Sequence, residues 1–399
     1  MANTTLTVDE VTRESQRVLH GKLRFVGSIN RGYDNQYAQE GAKIGETLRI
    51  RLPNQYVIRE GRAISVQDNV ERYVNFTISN QAGVDINFTS SELTMSLDDF
   101  SGRIITPAMA TVAAYVESTT WRARYKDIYN LVDQDATAPT LRTVLLGKQK
   151  LDDNLAPEDE QRTCLLSTGH QVGLIDNIKG LFNPTDTLAK QYREGRMGTS
   201  ALFDFFQSTH VLDHTTGTAV KGDTLYNVNG ANQTGASLTV NTGTTTFLKG
   251  DVITIAGCNR VHPETKVDTG QLQQFVVTAD SGASATTLAI SPSISITGGT
   301  QNVTGAPTNG GAISKLGAGN GELLNSSMGY HKDAFAFGTA DLIMPEGVHF
   351  AAREVYDGIS LRIVRAYDIN NDQFPCRSDI LFGSTTLRAQ LASRLHADG

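Results

Sequence analysis

The sequence predicts an α+β protein that carries a small antiparallel β-barrel inserted into a larger domain. Three observations lead to this fold class. Residues 47–52 alternate between polar and apolar, a helix without a breaker is predicted from Thr106 to about Val132, and residues 215–329 are rich in glycine and threonine. A chain of 399 residues has room for two or three domains.

The composition argues against several classes of protein. The formal net charge of −7 argues against a main surface that neutralises phosphate groups. Cys164, Cys258 and Cys376 lie far apart and form no CxxC pair, so the sequence predicts neither a disulfide framework nor a zinc site. No apolar run approaches the ~18 residues that a membrane span needs. We therefore expect a soluble protein made in the cytosol.

The N-terminal hundred residues contain a helix, a polar stretch and an extended excursion. An amphipathic helix is predicted from Val8 to about Phe25, and the aperiodic residues 28–45 are typical of an arm that lies on another surface. In residues 47–52, the side chains of Leu48, Ile50 and Leu52 share one face, as in a half-exposed strand. The excursion over 45–97 has too little apolar area to be stable alone, so it packs on its own chain or on a neighbour.

Two further helices organise the middle of the chain. Thr106 and Pro107 form a helix start signal, and the helix that follows is predicted to reach Val132, about 40 Å at ~1.5 Å per residue. A second helix is predicted from Leu141 to about Leu155 and a helical piece from Thr185 to Arg193. Strands and helices do not alternate regularly, which argues against a doubly wound nucleotide-binding sheet.

The stretch FLKGDVITIAG at 247–257 opens one of several short β-runs between residues 215 and 329. These runs include ASLTVN, LQQFVVTAD and TTLAISPSI, and turn signals separate them about every eight to twelve residues. About half of the 37 glycines lie in this segment. After residue 330 the strands DGISLRIVRAYD and SDILFG and a closing tail, TTLRAQLASRLHAD, are predicted. The glycine-rich segment is therefore predicted to be an insertion with its ends close together.

No residue cluster predicts catalysis or metal binding. His210, Asp213 and His214 would suit a metal if they lay on a helix, but the neighbouring TTGT indicates a loop. The acidic pairs Asp98 with Asp99 and Glu158 with Glu160 lie beside turns or a helix start, where carboxylates are ordinarily solvated. The sequence therefore predicts no enzyme, no metal and no cofactor.

Four arginines form a basic face on the excursion. Arg49, Arg51, Arg59 and Arg62 lie within RIRLPNQYVIREGR, without stacking aromatic residues between them. On an acidic protein such a face more often makes ion pairs across a protein interface, with nucleic-acid binding as the alternative.

The order of these blocks resembles the major capsid proteins of tailed bacteriophages, whose common fold is named after phage HK97. SELTMSLDDFSGRIITPAMATVAAYVE and the late strand ISLRIVRAYD carry this resemblance. TTTFLKGDVITIAG and QLQQFVVTADSGASATTLAISPSI resemble the β-barrel insertion of the phage P22 coat protein and its relatives. FNPTDTLAKQYREGRMGTSALFDFFQSTHV resembles the stretch before that insertion. The chain is shorter than these relatives, and its insertion is poorer in charge.

The resemblance implies an HK97-like capsid fold with an inserted β-barrel. The implied domains are an N-terminal arm (1–44), an extended loop (45–97), a peripheral domain with its spine helix (98–138), an axial domain (139–211), the inserted barrel (212–330) and a return segment (331–399).

The resemblance also implies a function. Such a protein self-assembles through hexamers and pentamers into an icosahedral head that encloses double-stranded DNA without sequence-specific binding. Its partners would be itself, scaffolding protein, portal and a decoration protein, and it would be found in the virion and, during assembly, in the host cytoplasm. The expected contacts between subunits pair the four arginines with Asp98, Asp99 or Glu117. Two alternatives are an encapsulin-like compartment shell and a glycan-binding adhesin or decoration protein.

Overall fold

The structure is a computed structural model of an α+β protein, and it divides into two compact units. Unit 1 consists of Met1–Ile50, Val74–Trp121 and Phe335–Thr385, and unit 2 of Arg51–Tyr73, Arg122–Ala334 and Thr386–Gly399. The structure describes residues 8–32, 47–59, 61–64, 66–68, 71–89, 104–134, 139–178, 199–200, 202–211, 213–241, 243–324, 327–348, 350–356, 358–369 and 373–397.

Strands outnumber helices in the described ranges. The helices are α1 (Val8–Lys22), α2 (Phe25–Ser28), α3 (Thr106–Tyr125), α4 (Leu141–Asp153) and α5 (Thr168–Ile178). The strands are β1 (Thr47–Leu52), β2 (Arg72–Thr77), β3 (Asn80–Thr89), β4 (Leu131–Gln134), β5 (Arg162–Leu166), β6 (Thr199–Ser200), β7 (Phe203–Gln207), β8 (His214–Thr215), β9 (Gly222–Asn227), β10 (Gly235–Thr239), β11 (Val252–Val261), β12 (Asp268–Val277), β13 (Thr287–Ile294), β14 (Ala312–Leu316), β15 (Leu323–Leu324), β16 (Ser327–His331), β17 (Phe335–Thr339), β18 (Phe350–Tyr356), β19 (Ile359–Arg365), β20 (Gln373–Thr386) and β21 (Ala392–Ala397).

The N-terminal helices are part of the core of unit 1. The Gln16 side chain donates a hydrogen bond of 3.0 Å to the carbonyl of Ile359. The ring of Phe25 meets Trp121 edge to face, with 5.2 Å between centroids, and meets Phe335 at 5.6 Å. Helices α1 and α2 therefore make buried contacts within unit 1.

The sheet of unit 1 is built around the long strand β20. Strand β18 pairs with β19 and β19 with β20, both antiparallel. Strand β3 pairs antiparallel with β20 from Gln373↔Thr89 to Phe382↔Asn80. The sequence predicted strands in this region from DGISLRIVRAYD and SDILFG, and the structure confirms both.

Unit 2 contains a six-stranded mixed sheet in the order β4-β21-β16-β5-β7-β6. Strand β21 runs parallel to β4 and antiparallel to β16. Helix α4 begins at a capping box, in which the backbone N–H of Thr143 donates to the Thr140 hydroxyl and that of Thr140 donates to the Thr143 hydroxyl. Its observed range confirms the helix predicted from Leu141.

The second six-stranded sheet of unit 2, β10-β13-β12-β11-β14-β9, is entirely antiparallel and is called the β-module here. Its edge strands meet at one end, where Val228 and Val240 form an antiparallel bridge. Apolar side chains fill its interior. They include Ala219, Tyr226, Val228, Leu238, Val240, Phe247, Ile253, Ile255, Cys258, Phe275, Val277, Leu288, Ile290, Ile294, Val303 and Ile313.

Two predicted boundaries are wrong. Helix α3 ends at Tyr125 instead of Val132, because Leu131 and Val132 are buried in β4 and pair with β21. The predicted closing tail is a 3-10 turn at Ala389–Leu391 followed by β21, whose residues are all buried. In both places, the hydrogen bonds and burial that the mixed sheet provides outweigh the local sequence pattern. The helical piece predicted at 185–193 lies outside the described residues.

Candidate assembly site

The described residues between β1 and β2 (53–59, 61–64, 66–68 and 71) are here called the 53–71 loop, and hydrogen bonds within the segment brace it. The Gln67 side chain accepts from the N–H of Val57 at 3.0 Å and donates to the carbonyl of Val57 at 2.6 Å. One guanidinium nitrogen of Arg59 donates to the carbonyls of Gly61 and Ala63. At the base of the loop, Arg51 and Glu71 lie 3.6 Å apart. These contacts give the loop a defined shape.

The braced loop presents apolar side chains to solvent. Ile58, Ile64 and Val66 are 80%, 87% and 83% exposed. Scattered exposed apolar residues are ordinary, but a group of them on one braced loop is typical of a protein–protein contact. Sequence reasoning missed this group because it weighed only the charges of the same segment, although the apolar residues are visible in NQYVIREGRAISV.

The structure separates the four arginines into different roles. Strand β1 has the predicted alternation, with Ile50 buried and both Arg49 and Arg51 exposed. Arg51, in β1, lies 3.6 Å from Glu71 at the end of the loop, and Arg59 braces the loop tip. Arg62 is exposed. Arg59 thus makes hydrogen bonds within its own chain, and its role as an ion-pair partner across a subunit boundary stays a prediction.

Glu117 is not a surface acid. Its side chain is 1% exposed, and it accepts hydrogen bonds from the backbone N–H groups of Arg24, Phe25 and Val26 at the start of α2. Burial raises the pKa of Glu117, and the three N–H donors oppose that rise. Within the subunit the carboxylate of Glu117 is thus buried against the start of α2, and its contact with a neighbouring subunit stays a prediction.

In the described part of the chain, the metal candidate predicted from the sequence does not form a site. Asp98 and Asp99 lie outside the described residues. His214 is buried beside Asp251 at 3.4 Å, while Asp213 is exposed. Within the described ranges, no group of three or more His, Cys, Asp or Glu side chains is arranged to hold a metal ion. No helix in those ranges is both long and apolar enough to span a bilayer.

A buried ionic cluster lies where the sequence predicted only a turn. Asp251 Oδ2 accepts hydrogen bonds from the N–H groups of Gly217 and Leu248, both at 3.0 Å, and lies 3.5 Å from Lys315 Nζ. Lys315 Nζ also donates to the carbonyls of Gly217 and Ala219, at 2.7 and 3.2 Å. Burial alone would raise the pKa of Asp251, but the His214 hydrogen bond, the Lys315 charge and the two N–H donors lower it.

A second partly buried cation lies beside the β-module. Lys150 Nζ donates to Oε1 of Gln274 at 3.2 Å, and Arg260 pairs with Asp153 at 2.9 Å. Burial lowers the pKa of Lys150 to about 8, with a further lowering from the charge of Arg260 and a rise from Asp153. Relative to the neutral form, the protonated form of Lys150 thus has a higher free energy in the folded protein than in the unfolded chain.

This arrangement predicts a rise of stability with pH. Between pH 8 and 10.5 the unfolded chain keeps the Lys150 proton while the folded protein has lost it, so the free energy of unfolding increases across this window. Urea unfolding at several pH values should show this increase in the wild type relative to Lys150→Met. Lys150→Arg, which stays charged, should lack the increase as well. Parallel pH profiles for the wild type and Lys150→Met would contradict the prediction.

The comparisons with known proteins point to one class. The sequence model of the P22 coat protein family, described as gene protein 5, matches residues 213–393. The solved CUS-3 coat protein I-domain is 32% identical, over 23% of this chain and 94% of its own, with a TM-score of 0.19. Among curated proteins, no significant match was found.

Weaker similarities extend over most of the chain. A structure from Mycobacterium phage Che8 is 9% identical, covering 93% of this chain and 90% of its own, with a TM-score of 0.46. The mature capsid of bacteriophage PhiM1 is 10% identical, covering 88% and 82%, with a TM-score of 0.44.

The family-model match over residues 213–393 and the 32% identity to the CUS-3 I-domain over 94% of its length identify a structural protein of the coat class. The chain belongs to the P22 coat protein family, and it is a major capsid protein of a tailed phage.

Proposed function

We propose that copies of this chain assemble through hexamers and pentamers into the icosahedral head of a tailed phage, which encloses double-stranded DNA. Family membership supports this proposal, and the net charge of −7 suits a wall that must hold DNA without binding it tightly. Scaffolding protein, a portal and a decoration protein are the proposed partners, and the host cytoplasm is the proposed place of assembly.

The proposed architecture is an HK97-like fold in which the β-module is an inserted barrel. The antiparallel pairing of β9 to β14, the bridge that joins its edges and its own apolar interior support this assignment. The proposed domains keep the bounds predicted from the sequence: arm 1–44, extended loop 45–97, peripheral domain 98–138, axial domain 139–211, barrel 212–330 and return segment 331–399.

One observation carries the proposal that the 53–71 loop joins subunits: its exposed apolar tip. Ile58, Ile64 and Val66 have more than three quarters of their surface in water, on a loop that its own hydrogen bonds already hold in shape. Burying one such side chain against another copy gains about 1.5–3 kcal/mol, and a braced loop loses little conformational entropy on docking. Arg49 and Arg62 would then lie at the polar rim of the contact, as interface charges usually do.

The test is a triple variant, Ile58→Ser, Ile64→Ser and Val66→Ser. We expect electron microscopy and sedimentation to show loss of closed particles. The circular dichroism spectrum and the urea midpoint of the soluble subunit should stay unchanged, because the three side chains contribute little to its core. The loop tip is a cleaner target than Arg59, whose replacement would also remove hydrogen bonds that shape the loop.

A matched control removes exposed apolar surface elsewhere. Val267 and Leu323 are 63% and 64% exposed in unit 2, outside the loop. Val267→Ser with Leu323→Ser should still yield particles. Normal particles from the triple variant would overturn the proposed role of the loop, and equal loss of particles in the control would show that its apolar tip is not special.

A further inference from the structure

Three ion pairs join the β-module to residues 127–153 of the same unit, and in all three the base belongs to the β-module. In the described part of the chain, Asp127 pairs with Lys249 at 3.5 Å and Asp133 with Lys221 at 3.1 Å. A third pair joins Asp153 to Arg260 at 2.9 Å. In each pair the acid belongs to residues 127–153 and the base to residues 221–260. We call these three pairs, with Gln274, the seam.

The side-chain amide of Gln274 joins the two sides of the seam with the same pair of hydrogen bonds that a backbone peptide group makes in a sheet. Its Oε1 accepts from the N–H of Leu131 at 2.8 Å, and its Nε2 donates to the carbonyl of Leu131 at 3.0 Å. Leu131 is the first residue of β4, so the amide side chain of β12 extends the hydrogen bonding of the mixed sheet at that point. The same oxygen accepts from Lys150 Nζ.

The β-module does not depend on the seam to bury its own apolar core. All the side chains of that core belong to residues 219–313, and none comes from residues 127–153. The charged groups of the seam are partly exposed, with side-chain exposures between 16% and 42%. Partly exposed ion pairs are worth roughly 0.2–1 kcal/mol each and are screened by salt. Loss of the seam would therefore leave the module folded.

We propose that the seam is a salt-sensitive joint, at which the folded β-module detaches from and redocks onto residues 127–153 as a rigid body. The opposite charges on the two sides select one docked orientation, and Gln274 fixes the register of that orientation at Leu131. The inference concerns the single subunit and holds whether or not the 53–71 loop joins subunits.

Hydrogen–deuterium exchange on the full-length soluble subunit tests the joint. The N–H of Leu131 reports on the seam. The N–H groups of Val277 and Thr278, which donate to the backbone carbonyls of Asp251 and Ala289, report on the module itself. Raising NaCl from 0.1 M to 1 M should speed exchange at Leu131 by roughly tenfold, since three screened pairs are lost together. Exchange at Val277 and Thr278 should not change.

A charge swap gives a second readout. Lys221→Glu, Lys249→Glu and Arg260→Glu together should speed exchange at Leu131 at low salt, and adding Asp127→Lys, Asp133→Lys and Asp153→Lys should restore slow exchange. Arg353→Glu, which breaks the similarly exposed pair with Asp341 in unit 1, is the control and should have no effect at Leu131. Equal acceleration at Leu131, Val277 and Thr278, or no response of Leu131 to salt, would overturn the proposal.

Discussion

Replacing Glu117 by alanine is expected to lower the free energy of unfolding of the soluble subunit by about 3 kcal/mol or more. The substitution leaves the N–H groups of Arg24, Phe25 and Val26 without their described acceptor, and each buried unsatisfied donor costs roughly 1–3 kcal/mol. Urea unfolding measures the total loss. Hydrogen exchange at residues 24–26 should quicken at the same time, because these amides lose the bonds that protect them.

The conservative variant Glu117→Gln separates hydrogen bonding from charge. Its amide oxygen can still accept from Arg24 and Phe25, so we expect a loss of about 1 kcal/mol, near the net worth of one hydrogen bond. The raised pKa of Glu117 also predicts the direction of the pH effect. Wild-type stability should fall as the pH rises above 4.5, and this fall should be absent in Glu117→Gln. Unchanged protection of residues 24–26 in the alanine variant would contradict the assignment.

Replacing Asp251 by alanine should be equally damaging, about 3–5 kcal/mol. The variant leaves the ammonium group of Lys315 buried without its counter-charge and removes the acceptor of two backbone N–H groups. A urea titration of the soluble subunit again measures the loss. The double variant Asp251→Ala with Lys315→Met should recover part of it, because the uncompensated charge is then gone.

The pH effect at Asp251 has the opposite sign to that at Glu117. The pKa of Asp251 is lowered, so its contribution is fully present above its ordinary value of 3.8 and is lost as the pH falls through the lower folded-state value. In Asp251→Asn that acid-induced loss should disappear. A double variant that is no more stable than Asp251→Ala would show that the Lys315 charge is not the source of the cost.

The sequence predicts elements well where one periodicity dominates. Helix starts near Thr106 and at Leu141 and the alternation of residues 47–52 are predicted from the Thr106–Pro107 start signal and from side-chain pattern, and the structure has all three, with Thr106 inside the helix instead of capping it. The antiparallel strands of the β-module follow from turn signals between runs of β-forming residues. These signals are local, and local signals are what a single sequence displays.

Sequence patterns do not predict the role of a side chain when a residue far away in the chain determines that role. Asp251 follows a glycine in a turn, and the turn is real, but its carboxylate faces Lys315, which lies in β14. Glu117 lies in a helix and resembles any surface acid until α2 is placed against it. The exposure of the apolar tip of the 53–71 loop is predictable from the sequence. Charged and small residues separate Ile58, Ile64 and Val66, so these side chains share no face that the subunit itself could bury.

The position of β21 in the mixed sheet also bears on how the chain is made. Residue 394 pairs with residue 131, 263 positions earlier, which corresponds to roughly 13–50 s of synthesis at ~5–20 residues per second. During that interval β4 lacks β21, the described strand with which it pairs, and β16 waits for the same strand only over the last 63 or so residues. Unpaired edges of this kind readily join strands of other chains. Until residues 392–397 have been made and inserted, the unpaired edge of β4 in each nascent chain is therefore exposed to other chains being made on the same messenger RNA.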